Sequence, residues 1–334
     1  MAGEHSHGTS SLLRKAGGSQ GASEQPDGRG RRGVPIALFS LFLLASAYLG
    51  IGGYAGAKLT HGNHRPIDIS AASVDPHFED VAFDSRDHLR LRGWLFHSTV
   101  PVPAGLRSRP VVVVVHGYTQ NRIDHDFDQV GFAEDLLRRG YDALLFDLRS
   151  SGQSEGDRVT FGTREPNDLL GAYDLLRGMA YRAADIAILG ISMGAATTIE
   201  AAPRMPGVGA LVIDSSFARL RPLLDRELRR NSLPGLFNPA VYLLSPAFGL
   251  DSDLRPIEVV RSMPDRAFLF FHGGADVYVP TQDSRDLRRA SDNSASDLVI
   301  IASATHVHGW KTDPITYRNH FYPFVLSQLE DRGG

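Results

Sequence analysis

The chain has 334 residues, 35 Lys and Arg against 38 Asp and Glu, and a formal net charge of −3 at neutral pH, which leaves no electrostatic footprint for a nucleic acid or other polyanion. It contains no cysteine, so a thiol nucleophile, a disulfide framework and a Cys-based zinc or iron–sulfur site are excluded, while the redox compartment stays open. The length accommodates one large α/β domain with an appendage, or two modest domains.

Residues 1–33 are rich in Gly, Ser, His and Arg without apolar periodicity, and a disordered tail is expected there. Residues 34–57 carry no charge and include Leu38, Phe39, Leu41, Phe42, Leu43 and Leu44. As a helix this run would be about 36 Å long, enough for a hydrocarbon core of about 30 Å. Arg29, Arg31 and Arg32 precede it, which favours a cytoplasmic tail, a single-pass anchor and an extracytoplasmic remainder. A cleavable signal peptide is the rival reading, since Ala45-Ser46-Ala47 and Ala55-Gly56-Ala57 both look like cleavage sites. The long preceding tail and the length of the apolar run favour the uncleaved anchor. Residues 58–78 read as a polar, proline-containing linker, and residues 79–334 as the globular domain.

That domain opens with two alternating stretches, Glu79 to Phe83 and Leu89 to Phe96, joined by a turn that suits a hairpin. Pro110 leads into five consecutive valines, the pattern of a strand buried on both faces. Helices are expected near Phe127–Arg139 and Glu165–Met179, with a strand over Ala143–Phe146 between them. Further strands are expected at Ile186–Leu189, Ala210–Ile213, Ala267–Phe271 and Leu298–Ile301, and a closing helix at Pro314–Leu329. Strands that alternate with helices predict a mostly parallel sheet covered on both faces. The segment 217–263 interrupts the alternation with Leu223, Leu224, Leu236, Phe237, Tyr242 and Leu243 among several prolines, and reads as a small helical cap.

Gly190-Ile191-Ser192-Met193-Gly194 lies between an apolar strand and the helix-forming run Ala195 to Ala202. A serine on so sharp a strand-to-helix turn needs neighbours without a β-carbon, and the turn sets its oxygen at the helix N-terminus. The backbone N–H of Met193 can then face a developing oxyanion. A serine hydroxyl is a weak nucleophile at its free pKa and needs a base, which itself needs an orienting group. In a parallel sheet these groups come from loops at the C-terminal strand ends. Asp276 follows the Ala267–Phe271 strand, with Asp214, at the end of the preceding strand, as the rival acid. His306 and His308 follow the last strand. They are two residues apart, so in an extended loop only one of them can face Ser192. His116 and His272 read as loop-packing residues, and Glu165 and Asp168 as favourable charges at a helix start. No phosphate loop, zinc spacing or dinucleotide glycine pattern is present, so no cofactor is expected.

With His116-Gly117-Tyr118 after the valine strand, Asp147-Leu148-Arg149-Ser150-Ser151-Gly152 after the next, the elbow at Ser192 and the Asp276 and His306 loops, residues 79–334 resemble a serine hydrolase of the α/β-hydrolase superfamily. The second of these segments usually reads Arg-Gly-His-Gly in that family, and here has Ser150 and Ser151. The nearest likeness is to membrane-anchored, esterase-like members with a small cap. The resemblance implies Ser192 as nucleophile, His306 as base ahead of His308, Asp276 as its orienting acid, and the Tyr118 N–H as second oxyanion donor beside Met193. It implies cleavage of an ester, thioester or activated amide through an acyl-enzyme, on a small-molecule or lipid-like acyl substrate. The alternative is a membrane-tethered binding module that keeps the fold without turnover.

Overall fold

A computed structural model describes residues 29–333, so most of the expected disordered tail lies outside the described residues. The described chain divides between Ser46 and Ala47 into two units. A single helix, α1 (Arg29–Leu59), starts in the first unit and ends in the second. It takes in Arg29 to Gly33, which had been expected to be disordered; arginine is a good helix former and carries the apolar helix backward by a turn.

The second unit is built on an eight-stranded sheet in the order β1-β2-β4-β3-β5-β6-β7-β8. The hairpin β1 (Phe78–Asp84) and β2 (Arg90–Phe96) pairs from Phe78 with Phe96 to Asp84 with Arg90. Strand β2 adds antiparallel to β4 (Asp142–Phe146). From there β3 (Val111–Val115), β5 (Ile186–Ile191), β6 (Ala210–Asp214), β7 (Leu269–Gly273) and β8 (Asp297–Ile301) all run parallel. Both faces are covered, which is why β3 tolerates an unbroken valine run. Val111, Val113 and Val115 enter one core with helices α4 (Pro166–Gly178) and α5 (Met193–Ala201). Val112 and Val114 enter the other core, with α3 (Gln129–Leu137) and α11 (Pro314–Gly333).

The structure adds two details to the expected domain plan. Within 58–78 a short helix, α2 (Ala71–Val74), buries Ala71 in the second core. Ahead of it His61 and Asn63 make bridges to Arg158 and Ser151. Not all of 217–263 lies in the cap. Helices α6 (Leu220–Arg230) and α7 (Asn238–Leu244) form it, but in α8 (Pro256–Arg261) Ile257 and Val260 belong to the main core. That helix returns the chain to the sheet. Besides α2, two helices escaped the sequence reading, α9 (Thr281–Ala290), the crossover between β7 and β8, and the short α10 (Gly309–Thr312), which carries Trp310 into the second core.

Candidate active site

The strands diverge in order at β3 and β5, where β4 lies to one side and β6 to the other, and such switch points open a crevice at the C-terminal strand ends. Ser192 sits there. It links β5 to α5 with φ 54° and ψ −113°, a region that non-glycine residues rarely occupy. Both flanking glycines are required by contact. A β-carbon on Gly194 would stand 2.1 Å from the Val115 carbonyl oxygen, and one on Gly190 would stand 2.4 Å from both the Gly194 carbonyl oxygen and Thr198 Oγ1. The Ser192 N–H is fixed by the Asp214 carbonyl at 2.8 Å.

The loops after β7 and β8 bring the other sequence candidates to this turn. Ser192 Oγ lies 2.9 Å from His306 Nε2, and His306 Nδ1 lies 2.6 Å from Asp276 Oδ2. With the hydrogen on Nδ1, the ring donates to Asp276 and Nε2 accepts from the serine hydroxyl; this tautomer follows from the bonding pattern. The imidazole is 19% exposed and the Asp276 carboxylate fully shielded. Burial opposes its charge, but bonds from His272 and His306 outweigh that and hold its pKa well below the carboxylate range. Its other oxygen accepts from the N–H groups of Tyr278 and Val279 at 2.8 and 2.9 Å.

The rivals are engaged elsewhere. Asp214 accepts from Ser215 Oγ and from the Tyr317 hydroxyl at 3.0 Å, and burial raises its pKa. The His308 ring turns back on its own loop, with Nδ1 2.7 Å from the His306 carbonyl, though it still borders the cavity. His116 is buried and its pKa lowered by that burial; its Nε2 accepts from the Leu148 N–H and its Nδ1 donates to the Gly117 carbonyl. Glu165 and Asp168 do more than charge a helix start. The first closes the turn from Thr160 to Gly162, and the second is buried against Arg149 at 2.6 Å.

His272 packs the loop after β7, as its sequence reading has it, and also reaches the acid. It lies one turn of loop from Asp276, with Nε2 3.3 Å from Oδ2 and 2.9 Å from the Val279 carbonyl, and Nδ1 2.7 Å from Ser284 Oγ. Its spacing of four from the acid was the available signal.

Met193 and Tyr118 border the same cavity as Ser192. Met193 opens α5, so its N–H has no partner within the helix. The Tyr118 ring leans on Phe161 with centroids 4.6 Å apart, and its hydroxyl donates to the Leu59 carbonyl at 2.9 Å. The cavity has a volume of about 500 Å³. Phe161, Phe217, Leu223 and Val279 give it apolar walls, and Asp126 and Glu227 contribute carboxylates. Among the described residues no group of three His, Cys, Asp or Glu could hold a metal ion. Among the described residues one helix segment, Ile36–Leu59, is long and apolar enough to cross a membrane.

A model of the alpha/beta hydrolase family matches residues 112–332. The uncharacterized protein YqkD of Bacillus subtilis is 26% identical over 221 residues, covering 64% of this chain and 70% of that protein. An uncharacterized protein of Mycobacterium tuberculosis is 34% identical over 152 residues, 45% of this chain and 50% of its own length. Among solved structures, the Pyrococcus furiosus esterase Pf2001 superposes with a TM-score of 0.67 at 21% identity, over 80% of this chain and 99% of that one. The esterase RhEst1 from Rhodococcus sp. gives 0.54 at 16%, over 75% and 99%. At these identities the structural likeness is one of fold.

Proposed function

The chain belongs to the alpha/beta hydrolase family, and from that premise we propose that it is a serine hydrolase acting through an acyl-enzyme. The observation that carries the reading is the continuous bonding from Ser192 Oγ through the His306 ring to a shielded Asp276. As the substrate carbonyl approaches, Ser192 Oγ attacks its carbon and His306 Nε2 takes the hydroxyl proton. Asp276 holds the ring and stabilises the imidazolium. The N–H groups of Met193 and Tyr118 receive the oxyanion of the tetrahedral intermediate. His306 then returns the proton to the leaving group. Water, deprotonated by the same nitrogen, attacks the acyl carbon; the bond to Ser192 Oγ breaks, His306 returns that proton to Oγ, and the acid leaves.

The bond cleaved is an ester, thioester or activated amide. Esterases among the proteins of like fold make an ester the first to test. Apolar walls around Ser192 suit an acyl group, so the partner is a small-molecule or lipid-like acyl compound. Helix α1 serves as a single-pass anchor, with the hydrolase domain, residues 79–334, on the extracytoplasmic side. Turnover of p-nitrophenyl esters of increasing chain length tests the activity. We expect steady hydrolysis with a preference set by the cavity. Binding of these esters without turnover would point instead to a tethered binding module.

A further inference from the structure

From Ala47 onward, α1 is built into the cap. A β-carbon on Gly52 would stand 2.5 Å from Ala240 Cβ, and one on Gly56 would stand 2.7 Å from Phe248 Cε2, so α7 and the turn after it sit directly on the helix backbone. Tyr48 donates to the Leu236 carbonyl at 2.9 Å and stacks on Phe237 with centroids 5.6 Å apart. Leu59 shares one apolar cluster with the cap residues Leu224 and Val241 and with Phe161, Phe217 and Val279 of the cavity wall.

This packing conflicts with a domain held clear of the bilayer. The candidate span, Ile36–Leu59, has 24 residues. Its part before Ala47 would cover only about 16 Å, half of a hydrocarbon core of about 30 Å. To fill the core, the helix beyond Ala47 must enter lipid, and the cap must enter with it. The cap's composition fits that position. From Asn231 to Leu250 the chain carries no charged residue. Leu236, just before α7, and Leu243, in its last turn, are 64% and 69% exposed, and Tyr54 of α1 is 73% exposed. Arg229 and Arg230 end α6 just ahead of this run; Arg230 lies over the Tyr278 ring, and Arg229 is exposed, where an anionic headgroup would meet it.

We propose that the outer face of the cap, centred on Leu236 and Leu243, docks into the lipid leaflet beside α1, so that the cavity receives acyl compounds dissolved in the membrane. This rests on the anchor reading given above. The occupant is lipid and not a protein partner, because exposed residues of the candidate span itself, Leu49, Ile51 and Tyr54, belong to the same unit as the cap.

The absence of cysteine allows a direct test on the full-length protein. Single variants Leu44→Cys, Leu236→Cys, Leu243→Cys and Ile315→Cys would carry an environment-sensitive fluorophore, in vesicles of phosphatidylcholine and phosphatidylglycerol containing doxyl-labelled lipid. Ile315 is 67% exposed on α11 and serves as the water-facing control. We expect blue-shifted emission and strong quenching at 44, 236 and 243, and neither at 315. Quenching at 44 alone would overturn the docking proposal and leave the anchor standing. No quenching at 44 would overturn the anchor reading and the docking proposal together. Ester turnover by each labelled variant checks that it is folded.

Discussion

Asp276 Oδ2 receives two imidazoles at once, His306 Nδ1 at 2.6 Å and His272 Nε2 at 3.3 Å. The second ring is the less obvious partner. Burial disfavours charge on His272, but its bonds to Asp276 and the Val279 carbonyl prevail and raise its pKa. His272 thus fixes the carboxylate from behind, while His306 meets the serine in front.

The first prediction is that His272→Gln lowers kcat by roughly tenfold with little change in KM, since it loosens the carboxylate that orients the base without touching substrate. Steady-state kinetics on a short-chain ester measure this. A drop as large as that of Ser192→Ala would show that His272 takes part in the proton transfer itself.

A second prediction separates the histidines of the last loop. His306→Ala and Ser192→Ala should each lower kcat by roughly 10⁴-fold or more, and the double variant should be no worse, because the two act as a unit. His308→Ala should stay within about tenfold of wild type, since its ring bonds its own loop. Inactivity of His308→Ala with an active His306→Ala would move the base to residue 308.

The elbow supplies a stability prediction. Gly194→Ala places a β-carbon 2.1 Å from one backbone carbonyl oxygen and 2.6 Å from the next, so strands β3 and β5 or the start of α5 must shift. A loss of about 1–3 kcal/mol is expected in denaturant unfolding, together with loss of activity. Gly178→Ala, with nothing within 4 Å of its β-carbon, should be neutral or slightly stabilising. Equal effects at the two positions would contradict the close approach.

Glu200 gives a pH prediction. Burial, aided by Asp251 and opposed by Arg204, raises its pKa from 4.5 to about 7, and its Oε1 has no hydrogen-bond partner. A folded pKa above the unfolded one means that the native state keeps a proton which the unfolded chain releases. Stability therefore falls as pH rises from about 4.5 to 7 and stays lower above that. Glu200→Gln should match wild type near pH 4.5 and exceed it by roughly 1–2 kcal/mol at pH 8. Thermal melts across that range would contradict this account if the two proteins kept a constant difference.

How much of this was legible in the sequence depended on whether an element's signal was local. The valines of β3 and the glycines around Ser192 declare themselves, because burial on both faces and a tight turn each restrict residue type. Asp276 and His306 were legible as loop residues after apolar strands, but their meeting is set by the sheet order. Helix α9 was missed because Thr281 to Ala290 is mostly charged and polar, with only Ser284, Leu287 and Ala290 turned inward. The pinning of residues 58–78 was invisible for a different reason. Bridges such as Asn63 to Ser151 use backbone groups, which carry no residue signature. Nor could composition reveal that Gly52 and Gly56, read as part of an uncharged span, form the seam with the cap.

The central claim is that Ser192 is the nucleophile, and covalent labelling tests it most directly. Full-length protein treated with a fluorophosphonate probe and digested should give a single modified peptide, with the adduct on Ser192. Ser192→Ala, folded by circular dichroism, should take up no label, and His306→Ala very little. Undiminished labelling of folded Ser192→Ala, or an adduct on another residue of the wild type, would contradict the account.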